Sequence, residues 1–194
     1  MTKKILSVQN LSLFFDKRKI FSDVSFDIER SDKIAILGPN GSGKTSIIKI
    51  LLGFQKQSSG NVLHFGEKSY SYLPQYFHAI ESMNLTVLNF LQFTNAIAMS
   101  LDDSINLTKI SHLLKYDLNS LSGGELRKVL MAKTLLSGKE IIFLDEPTCW
   151  LDSESQKEFY QLIFNLQDKT NCAIVFITHD FNLNKKLFTK IVSF

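Results

Sequence analysis

The segment KIAILGPNGSGKTS, Lys33 to Ser46, constrains this chain more than any other. A short apolar β-type run enters a glycine-rich loop, and the loop opens directly into a segment of helical spacing. This strand–loop–helix context is the one the GxxxxGK[ST] phosphate loop requires. Gly38, Gly41 and Gly43 let the backbone curl, so that past Pro39 the N–H groups from Asn40 through Ser42 to Ser46 surround an anion. The helix N-terminus adds partial positive charge there. Lys44 is spaced to reach β- and γ-phosphates, and the Thr45 hydroxyl to ligate Mg²⁺. A coincidental glycine turn is the alternative, and the context weighs against it. GxGxxG spacing is absent, which argues against a dinucleotide site.

The rest of the chain reads as a frame for that loop. KILSVQNLSLFF (Lys4–Phe15) and FSDVSFDI (Phe21–Ile28) have the alternation of an antiparallel strand pair. TSIIKILLG predicts a helix ending at Gly53, and SSGNVLHFGEKSYSYLPQ two short strands around Gly66. From about Tyr76 to Leu118 the pattern is helical. IIFL (Ile141–Leu144) and AIVFI (Ala173–Ile177) are buried-strand runs separated by the helix SESQKEFYQLIFNLQDK. Apolar runs alternating with helices predict an α/β fold with a mainly parallel sheet. An antiparallel N-terminal β subdomain and a helical insertion at roughly 76–130 complete one domain spanning residues 1–194.

Composition narrows the class. The chain has 194 residues, 44% hydrophobic and 21% charged, with a net charge of +3. No dense Lys/Arg block marks a nucleic-acid footprint, so none is expected as a partner. KKLFTK, Lys185 to Lys190, is read as a solvated face. Cys149 and Cys172 lack CxxC spacing, consistent with a reduced setting. The N-terminus lacks a signal-peptide core, and no run approaches the ~18–20 apolar residues of a membrane span. His64, His78 and His112 do not cluster with cysteines or paired carboxylates, so no transition-metal site is expected.

IIFLDEP sets Asp145 and Glu146 at the C-terminal end of a buried strand, where α/β sheets bind ligands. Asp145 is the candidate Mg²⁺ partner and Glu146 the candidate base for an attacking water. A polar strand end turning at Pro147 is the plainer alternative. LSGGELRKVL, from Leu121, begins a helix with a capping box formed by Ser122 and Glu125. Two successive glycines are a costly way to start a helix, which raises the question of what Gly123 and Gly124 are for.

The phosphate loop, LSGG and FLDEPT, in that order, make this sequence resemble the nucleotide-binding subunits of ATP-binding cassette (ABC) transporters across nearly the whole chain. The resemblance implies a P-loop NTPase core and ATP hydrolysis with Mg²⁺. Phe15 then matches the aromatic that stacks on adenine. Gln75 matches the glutamine that contacts Mg²⁺ and water and links to the helical subdomain. CWLD, ending at Asp152, matches the D-loop between subunits, and His179 matches the histidine that holds the γ-phosphate. Taken alone, Phe15 and His179 would more often be core residues.

The same resemblance implies a head-to-tail homodimer when ATP is bound. Ser122, Gly123, Gly124 and Glu125 of one copy would close over ATP held by the other. It also implies a cytoplasmic location, peripheral on the inner face of the cell membrane, and an integral membrane permease as partner. A groove near Gln75 and the segment through Phe90 would receive a helix of that permease. An extracytoplasmic substrate-binding protein would follow if the system is an importer.

Several positions depart from the common pattern: Phe15 for tyrosine, Ser31-Asp32 for a Gly-acid turn, and a bulkier CWLD. The helical insertion is compact, and the chain ends soon after His179, so no C-terminal regulatory domain is expected. Glu125 with MNLTVLNFL (Met83–Leu91) looks most like the ATPases of zinc- and manganese-type metal importers. The competing readings are another small importer or exporter ATPase, a soluble ABC ATPase of DNA repair, and an ATP-binding scaffold of cluster assembly.

Overall fold

The computed structural model describes residues 3–16, 18–66, 68–75, 85–94, 100–137, 139–149, 151, 153–180 and 184–194. Two sheets organise it. The first is antiparallel, in the order β2–β1–β4, from β1 (Lys4–Phe15), β2 (Arg18–Glu29) and β4 (Ser59–His64). The second has the order β5–β6–β7–β3–β8, from β3 (Lys33–Leu37), β5 (Tyr70–Leu73), β6 (Ile141–Asp145), β7 (Ala173–Thr178) and β8 (Lys190–Ser193). Every pairing in this second sheet is parallel. Parallel neighbours need crossover connections, and the helices supply them.

Period-two alternation splits each central strand between two cores. Ile34, Ile36, Ile141, Phe143, Val175 and Ile177 face a cluster shared with β1, β2 and helix α1 (Lys44–Leu51). Ile142, Leu144, Ile174 and Phe176 face the opposite cluster, built by α4 (Gly123–Leu136) and α5 (Ser153–Thr170). These three strands are therefore apolar on both faces, with polar residues confined to their ends at Lys33, Asp145 and Thr178, the expected result for a sheet covered on both sides. In α1, Ile47, Ile48 and Leu51 are at most 2% exposed. Each such side chain contributes about 1.5–3 kcal/mol on burial. A charge at Ile48 would strip the phosphate loop of its support.

The middle of the chain forms a smaller apolar cluster. Helices α2 (Val87–Gln92) and α3 (Leu101–Thr108) contribute Val87, Leu91 and Ile105, and α4 closes it with Val129, Ala132 and Leu136. Thr86 caps α2 by accepting from the Asn89 N–H, and Ser100 caps α3 by accepting from the Asp103 N–H. These are the local signals that place helix starts there.

The predicted fold class stands, with differences of detail. The two strands around Gly66 are both present, but they do not form a hairpin. β4 pairs antiparallel with β1, whereas β5 pairs parallel with β6. The basic segment near the end contributes to β8, an edge strand on β3, as well as to the surface. Lys190 lies there in a network with Asp32 and Glu29. Four residues of strand are too few to register as a periodic pattern.

Candidate functional site

The carboxyl ends of β5, β6, β7 and β3 lie side by side, and each leads to a candidate residue. They deliver Gln75, Asp145 with Glu146, His179 and the phosphate loop, respectively. This is the edge where open α/β sheets take their ligands.

The loop after β3 is tightly specified. Gly43 caps α1 with φ of 96°, in the left-handed region. A Cβ there would lie 2.6 Å from Ile20 Cγ2 and 2.8 Å from Phe21 Cδ1, so both conformation and space demand glycine. Gly38 has no such backbone need, but a Cβ would meet Ser42 Oγ at 2.7 Å and Phe194 Cβ at 2.9 Å. Lys44 is only 6% exposed. Its ammonium donates to the carbonyls of Gly38 at 2.8 Å and Pro39 at 2.9 Å, arching over the loop. Burial pulls the Lys44 ammonium below its ordinary value, and the charges of Glu146 and Asp145 oppose that pull.

Thr45, the next residue, donates its hydroxyl to Asp145 Oδ2 at 2.9 Å, joining the loop to the end of β6. Tyr72 of β5 donates to the same oxygen at 3.2 Å. Asp145 is 1% exposed, and burial pushes its carboxyl up while the two hydroxyls hold it down. Its other oxygen, Oδ1, is buried with no partner, as is Ser42 Oγ in the loop. Buried unpaired polar atoms in a native site call for an explanation. A hard divalent cation or one of its water ligands would satisfy Oδ1, since Asp145 lines the cavity beside the loop, whereas Ser42 does not line it. The residues present therefore fit Mg²⁺ and a nucleotide.

Glu146 sits in the left-handed region with φ of 46°, uncommon for a residue with a side chain. Its N–H donates to Ile177 O at 2.9 Å and its carbonyl accepts from the Cys149 N–H, which pins the turn. The carboxylate meets His179 Nδ1 at 2.8 Å, with the glutamate nearly buried and the histidine half exposed. A cavity of about 430 Å³ is lined by Phe15, Asn40, Gly41, Gly43, Lys44, Thr45, Ser46, Gln75, Asp145 and Glu146. Phe15 ends β1 and is 54% exposed, an open aromatic face at one edge of that cavity.

Arg127 is a residue that sequence reasoning passed over. It lies one turn into α4, 7% exposed, and donates to five backbone carbonyls. These are Gln75 O at 2.8 Å, Pro74 O at 3.4 Å, Asp145 O at 3.2 Å, Glu146 O at 2.6 Å and Pro147 O at 3.2 Å. One guanidinium thus ties α4 to the turn carrying Asp145 and Glu146 and to the segment entering at Gln75. A planar fork of five N–H donors suits that task, where an ammonium would not. Tyr72 was likewise not singled out.

The signature segment stands apart. Ser122 caps α4 and Glu125 returns the contact, its Oε2 accepting from the Ser122 N–H at 2.9 Å and hydroxyl at 2.6 Å. Those two bonds from Ser122 hold the Glu125 carboxyl below its usual range. Ser122, Gly123, Gly124 and Glu125 do not line the phosphate-loop cavity. A Cβ at Gly123 or Gly124 would meet nothing within 4 Å, and both are helical. Among the described residues, nothing requires either glycine. Asp152, the D-loop candidate, lies outside the described residues, as do Trp150 and Met83.

Comparison with known proteins points the same way. Residues 21–149 match the family described as ABC transporter. The zinc import ATP-binding protein of Pasteurella multocida is 36% identical over 92% of this chain and 68% of its own length. Its counterpart in Anaplasma marginale is 35% identical over 92% of this chain and 74% of its own. A solved structure described as an inward-facing, metal-chelate type ABC transporter superposes with TM-score 0.83 at 28% identity, covering 98% of this chain and 80% of that one. The resemblance read from the motifs is thus borne out. The chain belongs to the ABC transporter family, as an ATP-binding subunit with ATPase activity.

Proposed function

We propose that this subunit hydrolyses Mg²⁺-ATP in a two-fold dimer to drive a membrane permease for a divalent metal of the zinc type. In this reading the amides of the Gly38–Ser46 loop and Lys44 hold the β- and γ-phosphates, and Phe15 offers its face to the adenine. Thr45 and Asp145, with Gln75, would hold Mg²⁺, which when bound offsets charge developing on the phosphate oxygens. Glu146 takes the proton of the attacking water. His179, bonded to the Glu146 carboxylate, orients that base and presents its ring to the γ-phosphate. A general base of this kind contributes about 10²–10⁴ in rate.

The observation that carries the dimer is the freedom around Gly123 and Gly124. Glycine in a helix costs up to about 1 kcal/mol relative to alanine. No neighbour among the described residues repays that cost. Close approach of an outside body does, and the exposed Ser122 hydroxyl with the α4 N-terminus fits a γ-phosphate held by a second copy. Asp152 would lie at the same junction. The chain would act as one domain, with a helical subdomain at roughly 76–130 moving with the nucleotide state.

The family resemblance implies a seat for the permease helix near Gln75 and the segment through Phe90. The proposed seat is instead a groove of about 360 Å³ between β5 and the ends of α2 and α4, lined by neither residue, with Phe93 72% exposed on its rim. No helix among the described residues is long and apolar enough to cross a membrane, so the permease would supply the span. Docking there would hold the subunit on the inner face of the membrane. The named function of the zinc-import relatives supports the choice of metal, and an extracytoplasmic metal-binding protein would complete an importer. The test is co-expression with candidate permeases, followed by reconstitution. ATP-driven uptake of Zn²⁺, lost when Phe93 is changed to Asp, is expected; uptake of an organic solute with no response to metal would overturn this reading.

A further inference from the structure

The two oxygens of Asp145 are treated very differently. Oδ2 accepts from two hydroxyls, Thr45 on α1 and Tyr72 on β5, while Oδ1 is buried and unpaired. Strand register explains how Tyr72 arrives there. Tyr72 pairs with Phe143 on the neighbouring parallel strand, and Asp145 lies two residues further along β6 on the same face. Two residues of strand span about 6.6 Å, a distance a tyrosine ring and hydroxyl can cover.

We propose that Tyr72 is a positioning residue for the Mg²⁺ site: its hydroxyl locks the Asp145 carboxylate so that Oδ1 is the oxygen offered to the metal or its water. The inference rests on the assignment of Asp145 to Mg²⁺ made above. With Thr45 as its one donor, the carboxylate could turn about its Cβ–Cγ bond and exchange its two oxygens. A second donor to the same oxygen, from a different element, removes that freedom. The phenol supplies an O–H donor to that oxygen from a strand other than the one carrying Asp145. Tyr72 does not line the phosphate-loop cavity, so it acts through Asp145 rather than on the nucleotide. A phenylalanine would fill the same space and supply no donor.

The test compares Tyr72→Phe and Asp145→Asn with the wild type in three measurements: melting temperature, ATP affinity in EDTA, and Mn²⁺ binding to the protein–ATP complex by electron paramagnetic resonance. Tyr72→Phe should melt close to the wild type and bind metal-free ATP equally well. Its Mn²⁺ dissociation constant should rise about tenfold, the scale of one hydrogen bond to a charged group. Unchanged Mn²⁺ affinity in Tyr72→Phe alongside a large loss in Asp145→Asn would overturn the role of Tyr72 and leave the metal site standing. Unchanged Mn²⁺ affinity in Asp145→Asn would overturn the site itself, and the inference with it. Equal losses of melting temperature, metal-free ATP affinity and Mn²⁺ affinity in Tyr72→Phe would show a merely structural residue and also overturn the proposal.

Discussion

Replacing Arg127 with methionine tests whether one buried side chain holds the catalytic turn in place. Methionine keeps most of the apolar stem and removes five donors. Two of the lost bonds are close, to Glu146 O at 2.6 Å and Gln75 O at 2.8 Å; the other three lie between 3.2 and 3.4 Å. Each buried carbonyl left unpaired costs about 1–3 kcal/mol, but Gln75 lines the open cavity and its carbonyl can regain water. Removing one partner of a buried charged network costs about 3–5 kcal/mol overall, and the close bonds place Arg127→Met in that range. For a chain of this size that lowers the melting temperature by about 6–20 °C. Activity should fall further than stability, because Glu146 holds a left-handed φ that its backbone partners maintain. Thermal melting with steady-state ATPase assays below the transition would show this as a loss in kcat with little change in KM. Arg127→Lys should recover part of the stability and less of the rate, since an ammonium cannot reproduce the fork. A loss below about 1 kcal/mol with unchanged kcat would refute the role assigned to this arginine.

Gly124→Ala should stabilise α4 by about 0.5–1 kcal/mol, because the space is open and the backbone helical, while ATPase activity falls. A variant that is more stable and equally active would place the reason for this glycine elsewhere; melting and turnover measured together decide. Lys44→Met should weaken ATP binding by at least tenfold in a fluorescent-nucleotide titration, since it removes the cation over the loop. Burial raises the Asp145 carboxyl in the folded state above its unfolded value, so the fold disfavours the charged form. Its contribution to stability is therefore greatest below the unfolded pKa and is lost as pH rises through the folded one. Without nucleotide or metal, Asp145→Asn should have a flatter stability profile across that window, by urea unfolding at a series of pH values. A variant profile as steep as the wild type would contradict the burial argument.

What could be read in the sequence divides along physical lines. The phosphate loop, the strand ends at Asp145 and His179, and the capping box at Ser122 are local patterns, each written in neighbouring residues. Their meeting at one sheet edge follows from parallel topology, which buried apolar runs such as AIVFI announce. β4 and β5 were visible as strands, but their separation into two sheets depends on partners more than forty residues away in sequence, β1 and β6. Arg127 and Tyr72 were hidden for a related reason. The partners of Arg127 are backbone carbonyls, which leave no side-chain signature, and a charge on a helix reads as a solvated face. One signal was present: Arg127 shares the buried stripe of α4 with Leu130, Met131 and Thr134, where a charge needs a reason. Tyr72 reads as an ordinary strand aromatic until the register sets its hydroxyl against Asp145.

The central claim is that ATP is held by the phosphate loop and hydrolysed through Glu146. Glu146→Gln keeps the shape and the turn but removes the base. Measured side by side, its ATP affinity should match the wild type while its turnover falls by about 10²–10⁴. Near-normal ATPase activity in that variant, with ATP still bound, would contradict the account.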